Sequence, residues 1–450
     1  MKKLVFAVIS AALVAVFVLS SCSAPSLIAT VDALLTPPLY YSEYEGLVKA
    51  FNSSVDTGVI LCNPKSGDHL SAITVIDVDG DGEEEGIVFY RDALQENVAH
   101  FALFKCSDDV WSKKCDFKGY GNEVKSLTLT DLDGDGIDEV FVIWSYSGID
   151  SGSVFSVYRA GGGNLRYEQI AYESCEVATA VDFNDDSKDD IFFISSSKEE
   201  NTVSRTAGVM SLKDGELVSL GSVPADPNVI SYVSLKTEKS DSHSPMRVYI
   251  DASKSNNMMI TELFYIDGET GGLVNPFYDA ETGSNNVTLR FENLQCTDVN
   301  ADGRIEIPVQ TLYSETVGEE EEELYLTDWI YFENGTPAMK ISTFVNVEDG
   351  YLVNLGILGS SELFIRKHKG GDWASWSVYK KSDKSVFGEV LFTIIKVPKS
   401  RWEKDMLNSG RYITILKQLD SVICVNINQN GQSEGLDEAK IRKIVTRLPS

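Results

Sequence analysis

Histidine is nearly absent from this chain. Only His69, His100, His243 and His368 occur in 450 residues. None falls in an HExxH or other paired-ligand spacing, which removes the common zinc-hydrolase signatures. No Gly-x-Ser-x-Gly elbow occurs, so the usual sequence mark of a serine acyl-transfer nucleophile is missing. Positive charge is scarce: 39 Lys+Arg stand against 68 Asp+Glu, a formal net charge of −29. The deficit is uneven. Residues 351–450 hold 16 basic and 10 acidic side chains, a net of +6, which leaves −35 for residues 1–350. So acidic a surface repels phosphate backbones, and nucleic acid is not expected as a partner. After residue 19 no apolar run approaches the ~18 residues needed to cross a bilayer. Seven cysteines occur, without zinc spacing. Cys106 and Cys115 flank a short polar stretch and fit either a hairpin disulfide or two free thiols.

What is abundant is acid at a fixed spacing. Asp77, Asp79, Asp81 and Glu85 stand at positions 1, 3, 5 and 9 of one loop. Asp131, Asp133, Asp135 and Glu139 repeat the pattern, as do Asp182, Asn184, Asp186 and Asp190, and then Asp298, Asn300, Asp302 and Glu306. Alternate residues of a tight loop converge, so each loop offers several oxygens to one hard cation, and calcium takes six to eight. Position 7 would add its backbone carbonyl, from Glu83, Ile137, Lys188 and Arg304. Gly82, Gly136 and Gly303 occupy position 6, where a left-handed backbone is expected; Ser187 replaces glycine in the third loop and predicts a more strained or weaker site. Without a cation, each close carboxylate pair repels by roughly 3–4 kcal/mol at an effective dielectric near 20. Up to four structural calcium ions are therefore expected.

An EF-hand shares positions 1, 3, 5 and 6 but needs a glutamate at position 12 and then a helix. Here position 12 is Val88, Val142, Phe193 and Val309. Each loop is followed by a short β-branched and aromatic run, as in Val140 to Trp144, and the second is preceded by the alternating Leu127-Thr-Leu129-Thr130. The unit reads as strand, loop, strand. The loops begin at 77, 131, 182 and 298, and the last gap is about two repeats long. It predicts a hidden repeat at Ile230 to Leu235 and Met246 to Ile250, with Lys236 in place of the first aspartate and no metal. Five repeats of about four strands each, over 57–345, predict a mainly β chain folded as a β-propeller, with six or seven blades if parts of 320–390 form more and a β-sandwich array as the alternative fold. The strand at Gly58 to Cys62 is a candidate to close the ring on the last blade.

The Asp-x-Asp-x-Asp-Gly-x-x-Glu loops between strands resemble the VCBS/FG-GAP repeat class, whose cation loops also occur in integrin α-subunit propellers. The Phe-Gly and Gly-Ala-Pro elements of FG-GAP are absent, so the likeness to integrins is one of architecture. The resemblance implies metal-ligand roles at the loop positions named above. It also implies that the loops are mostly structural, with ligands bound elsewhere on blade-connecting loops.

Residues 1–21 read as a secretory signal: Lys2 and Lys3, then an apolar run ending in Leu19-Ser-Ser-Cys22. That ending resembles the lipobox of bacterial lipoproteins, in which Cys22 would receive the lipid and anchor the chain outside the cytoplasm. Residues 22–56 are expected to form a tether with a short helix near Tyr44 to Phe51. Residues 346–450 are expected to form a separate α+β domain, with an amphipathic helix carrying Ile441, Ile444, Val445 and Leu448. Asn426, Asn428 and Asn430 mimic the metal loop with neutral amides and read as a loop before that helix, and the acidic run 319–323 reads as a solvated loop. The functional expectation is a surface-anchored binding module for a protein or polysaccharide. Trp111, Trp144, Trp329, Tyr120 and Tyr146 are the candidate anchors, or else packing residues between blades. A glycan-active enzyme and a structural subunit of an envelope complex are the alternatives; no catalytic residue is expected.

Overall fold

The computed structural model describes residues 44–449 except 56–57, 93–97, 149–151, 162–165, 201, 240–244, 292–293, 314–323, 334–335, 359–362, 369–374, 383–384 and 408. The expected signal segment, Cys22, most of the tether, His243 and the run 319–323 lie outside the described residues.

The chain is mainly β, in six antiparallel sheets. The first holds β1 (Val59–Leu61), β2 (Ile73–Ile76), β3 (Glu85–Asp92), β4 (Ala99–Ser107) and β5 (Val110–Lys118). The second holds β6 (Glu123–Thr130), β7 (Glu139–Ser145), β8 (Ser153–Gly161) and β9 (Arg166–Cys175). The third holds β10 (Val177–Val181), β11 (Asp190–Glu199), β12 (Thr202–Lys213) and β13 (Glu216–Ala225). The fourth holds β14 (Ser231–Glu238), β15 (Arg247–Lys254), β16 (Met258–Ile266), β17 (Leu273–Val274) and β18 (Arg290–Phe291). The fifth holds β19 (Ile307–Tyr313), β20 (Leu324–Glu333), β21 (Thr336–Asn346) and β22 (Tyr351–Asn354). The sixth holds β23 (Leu363–His368), β24 (Ser375–Ser382), β25 (Ser385–Pro398), β26 (Ile413–Lys417) and β27 (Ser421–Ile427). The last strand, β28 (Val445–Arg447), returns to pair with β22.

The strands that follow the first three loops are apolar on both faces because each sheet is covered on both sides. β7, for example, is buried from Glu139 to Trp144. Aromatic pairs join each sheet to the next in chain order: Phe89 to Trp144, Phe155 to Phe193, Phe192 to Phe264, Tyr265 to Phe332, and Phe344 to Trp376, with ring centroids 4.8–5.9 Å apart. Such pairs add roughly 0.5–1.5 kcal/mol each beyond their burial. Among the described residues, no buried apolar cluster joins the first sheet to the sixth.

Several expectations need correction. The strand β1 does not reach a last blade; it pairs with β3 of its own sheet. The expected boundary at 345/346 falls inside a sheet, since β21 continues through Asn346 and pairs with β22. The C-terminal residues are not separate either. One core joins Phe344, Tyr351 and Val353 of the fifth sheet to Val378, Ile394 and Val425 of the sixth. The expected terminal helix stops early: α3 (Glu438–Ile444), which follows α2 (Gln429–Ser433), gives way to β28 at Val445. Near the start, α1 (Glu45–Ser54) is no free tether. Its Leu47 and Phe51 pack on Val88, Tyr90, Ala102 and Phe104 of the first sheet.

The fourth sheet is extended by residues 267–291 and 294–297, which pair with β16 through β17 and β18 and bury polar groups, among them Ser284, Asn285, Thr288 and Arg290. Glu262 is fully buried there; its Oε1 accepts from the Asp226 N–H (2.9 Å) and Asn275 Nδ2 (3.1 Å), while Oε2 has no hydrogen-bond partner. Burial pushes its pKa up to about 7, from 4.5. Between those values the folded chain holds a proton that the unfolded chain releases. The contribution of Glu262 to stability is therefore fully present below about 4.5 and declines as pH rises to about 7, by on the order of 3 kcal/mol. Glu262→Gln is expected to remove that decline. Urea unfolding from pH 5 to 8 checks it, and an unchanged slope in the variant would refute the assignment.

Candidate metal loops

Five hairpins share one register. Their last strand pairs are Ile76 with Glu85, Thr130 with Glu139, Val181 with Asp190, Glu238 with Arg247, and the bridge of Thr297 with Glu306. The paired residues are nine apart each time, so every hairpin closes over a connection of the same length. This register places Lys239, not Lys236, at position 1 of the hidden repeat, and Arg247 at position 9. Lys236 lies within β14 and donates to the Cys296 carbonyl at 2.7 Å. The hidden repeat thus keeps Asp241 at position 3 but carries cations at both ends of the loop.

In the other four loops the backbone folds onto the side chains in the same way. The two oxygens of Asp77, Asp131, Asp182 and Asp298 accept N–H groups from later in their loops, one of them always from position 6. Position 3 accepts from position 5, as in Asp81 N–H to Asp79 Oδ1 (3.3 Å) and Asp186 N–H to Asn184 Oδ1 (2.9 Å); Asp133 and Asn300 do the same. Position 5 accepts from position 7: Glu83 to Asp81, Ile137 to Asp135, Lys188 to Asp186 and Arg304 to Asp302, at 2.8–3.1 Å. One oxygen of the position 9 acid accepts the position 2 N–H: Val78 to Glu85, Leu132 to Glu139, Phe183 to Asp190 and Val299 to Glu306, at 2.9–3.3 Å. These position 9 acids are fully buried or nearly so.

The expected left-handed backbone at position 6 is present at Gly82, Gly136, Ser187 and Gly303, with φ between +67° and +85°. Position 4 is left-handed too, at Gly80, Gly134, Asp185 and Ala301. The third loop therefore holds two side-chain-bearing residues in that region, Asp185 and Ser187, where glycine sits in the first two loops. Such positions cost of order 1 kcal/mol or more each.

The loops differ in what meets the remaining oxygens. In the first, Asp77, Asp79 and Glu85 form a compact acidic cluster, and so do Asp131, Asp133 and Glu139 in the second. The ammonium of Lys105, opposite Glu85 on β4, sits inside the first cluster. It lies 2.9 Å from Asp79 Oδ2 and 3.0 Å from Glu85 Oε1, and bonds Asp81 as well. In the second loop, Arg159 reaches only to 3.8 Å from Asp133 Oδ2, and Lys188 of the third loop bonds the Asp133 carbonyl. In the fourth, the Asn300 amide donates to Asp302 (3.2 Å) and Glu306 Oε1 (3.0 Å). In the third, Asp190 Oδ1 is buried with no hydrogen-bond partner. Burial pushes the Glu139 carboxyl up to about 7, with Asp133, Asp135 and Asp131 adding repulsion, and raises Asp190 to about 6. These are buried acids short of positive charge. The donor sets fit a hard, oxygen-seeking divalent cation.

The loops also touch one another. Asp189 donates its N–H to the Asp131 carbonyl (3.0 Å) and accepts from the Thr130 hydroxyl (2.6 Å). Lys239 pairs with Asp185, and Glu238 accepts the Ile305 N–H while pairing with Arg247. Consecutive sheets are thereby tied at their loop ends.

Of the expected aromatic anchors, Trp144 and Trp329 are fully buried, and Trp111 lies against α1. Tyr146 is exposed. Tyr120 stacks on Tyr172 with centroids 4.9 Å apart and accepts from Gln169 Nε2 (3.0 Å), and Tyr172 is 58% exposed. No sequence signal singles out Tyr172, because an alternating edge strand carries aromatics on either face. His100 has company as well. In a cavity of about 400 Å³, Asp116 accepts from Tyr90 (2.7 Å) and Lys113 (3.0 Å) and meets His100 Nδ1 (3.0 Å). Burial alone would raise Asp116, but His100, Tyr90 and Lys113 outweigh it and hold the carboxyl below its ordinary range. The six described cysteines are free thiols; Cys106 faces Trp111 across the hairpin and Cys115 faces Leu103, so the two do not oppose each other.

No family model matches the chain, and no curated protein matches it. Among solved structures the chain is similar to a Bacillus licheniformis rhamnogalacturonan lyase, at 11% identity and a TM-score of 0.30. The match covers 55% of this chain and 58% of the lyase chain, and a likeness this slight assigns neither fold family nor activity.

Proposed function

We propose that this chain is a lipid-anchored, extracytoplasmic binding module whose sheets form a propeller-like array stapled by calcium. The observation that carries the calcium reading is the common geometry of four loops, in which the position 2 N–H holds one oxygen of each position 9 acid, together with the compact acid clusters of the first two loops. Asp190 Oδ1 in the third loop is a buried oxygen with no cation beside it, whereas the equally unbonded Glu85 Oε1 of the first loop lies 3.0 Å from the Lys105 ammonium. Asp131, Asp133, Asp135, Glu139 and the Ile137 carbonyl would hold an ion in the second loop. Asp182, Asn184, Asp186, Asp190 and the Lys188 carbonyl would do so in the third. Asp298, Asn300, Asp302, Glu306 and the Arg304 carbonyl would serve the fourth, once the Asn300 amide turns its oxygen inward. Calcium is plentiful outside the cytoplasm, where the lipobox-like Cys22 would hold the chain. The ion supplies charge compensation and a fixed turn.

The ligand is a protein or polysaccharide, and the stacked Tyr120–Tyr172 pair is the best-placed anchor. Paired rings with one exposed face suit a sugar or an apolar side chain. Glycan hydrolysis is the weaker reading. It needs one acid kept protonated beside a second, ionised one, and Asp116 in the His100 cavity is held ionised. The test is affinity capture with the mature chain from envelope proteins and glycans, in calcium and in EGTA. Capture in calcium, weakened ~10-fold or more by Tyr172→Ala, is expected. A folded chain that captures nothing in either condition sinks the binding-module reading.

A further inference from the structure

We propose that the first loop takes no calcium, because Lys105 is its built-in cation. This rests on the calcium reading of the other loops and goes beyond it by dividing four similar motifs into two kinds.

The residue facing position 9 on the next strand decides the kind. Lys105 pairs directly with Glu85 in the β3–β4 register. Following the same register in the other sheets puts Arg159 beside Glu139, Ser211 beside Asp190, Tyr265 beside Arg247 and Tyr331 beside Glu306. Only Lys105 is short and straight enough to turn back into the ring of acids. Its side chain is 4% exposed, and its ammonium meets Asp79, Asp81 and Glu85 together. The ammonium donates to Asp79 and Asp81 and is ion-paired with Glu85 Oε1 at 3.0 Å, so one cation serves all three carboxylates. Arg159 is longer, keeps 3.8 Å from Asp133 and spends its other nitrogen on Glu168. Serine and tyrosine bring no charge at all.

A lysine in this position does what the ion does elsewhere. It cancels the repulsion among the acids and fixes the turn, but it cannot be chelated away. A calcium ion entering the ring would meet a like charge within contact distance, and it would have to expel a buried ammonium from three carboxylates at once. The sequence motif is therefore complete while the site is taken. The hidden repeat carries the same idea further, with Lys239 and Arg247 in place of the acids at positions 1 and 9. The five loops thus fall into three kinds: a lysine-filled acid ring, three loops that want a metal, and one with cations at positions 1 and 9.

The test is calcium bound per full chain, by equilibrium dialysis, for the native protein, Lys105→Met and Asp79→Asn, each checked for native circular dichroism. Lys105→Met is expected to gain one ion per chain, and Asp79→Asn to leave the native count unchanged. The proposal is overturned if Lys105→Met gains no ion, or if Asp79→Asn loses one, since the first loop would then already hold calcium beside its lysine. Should Lys105→Met fail to fold, the Asp79→Asn count decides alone. Asp190→Asn reports separately on the reading beneath: if it loses no ion while Lys105→Met gains one, the third loop is no calcium site and the first loop's assignment stands.

Discussion

EGTA is expected to lower the unfolding midpoint of the full chain by on the order of 10 °C, and added calcium to restore it. The estimate follows from linkage. A ligand at a hundredfold excess over its Kd stabilises the folded state by about 2.7 kcal/mol per site. Three loops so loaded contribute about 8 kcal/mol, and a chain of this size shifts by roughly 1–2 °C per kcal/mol. The loops link consecutive sheets, through Asp189 on Asp131 and Lys188 on Asp133. Emptying one therefore loosens a seam as well as a turn. The acids left behind are already raised by burial: Glu139 to about 7 and Asp190 to about 6. Magnesium should rescue poorly, since it demands a tight octahedron and sheds water reluctantly. Calorimetry with calcium, magnesium and EGTA measures this. Midpoints that agree within a degree or two in all three would remove calcium from the account of this fold.

The four acidic loops are legible in the sequence alone. A hairpin closed by a ligand-lined turn leaves acids at fixed intervals and an apolar strand behind them. The fifth hairpin shows in the sequence only as a gap, and the gap does not fix its register. Lys236 looks like the substituted ligand because strand ends are invisible in a polar stretch, and only the pairing of Glu238 with Arg247 identifies Lys239. Lys105 cannot be recognised from spacing, because its partner is set by the register of β4 on β3, twenty residues away, and lysine on an exposed-looking hairpin is ordinary. The sixth sheet reads as strands of a separate domain. Its strands at Trp376, Val390, Tyr412 and Val422 are there, yet Phe344 on Trp376 makes it part of one continuous stack. Nothing in the local pattern tells a strand which sheet it will cover.

Arg290→Met is expected to destabilise the chain by about 3–5 kcal/mol, a large effect for one side chain. Arg290 and Asp251 have fully buried side chains and lie 2.8 Å apart. The guanidinium also donates to the carbonyls of Leu294 (2.6 Å) and Thr288 (3.0 Å), which ties these two residues to the fourth sheet through Asp251. Asp251 in turn accepts from Thr261 (2.6 Å), Ser234 (2.7 Å) and the Cys296 N–H (3.1 Å). Removing the arginine leaves a buried carboxylate without its cation and two carbonyls without a donor. Arg290→Lys keeps the charge but loses the planar fork, so an intermediate loss is expected. The double variant Arg290→Met, Asp251→Leu removes both charges and should cost clearly less than the two single losses combined, because no lone ion remains. Urea unfolding of the native chain, the single variants and the double variant gives the comparison; a loss below about 1 kcal/mol for Arg290→Met would refute it. The physical interest lies in where the pair sits. The fourth sheet is the one whose loop has Lys239 and Arg247 at positions 1 and 9. It is also covered by an inserted segment pinned through buried ion pairs, Arg290 on Asp251 and Lys254 on Asp226. Those fixed charges tie the sheet down from within, where its neighbours rely on the loop. EGTA should therefore leave the Arg290→Met deficit unchanged, since the two kinds of staple act on different seams.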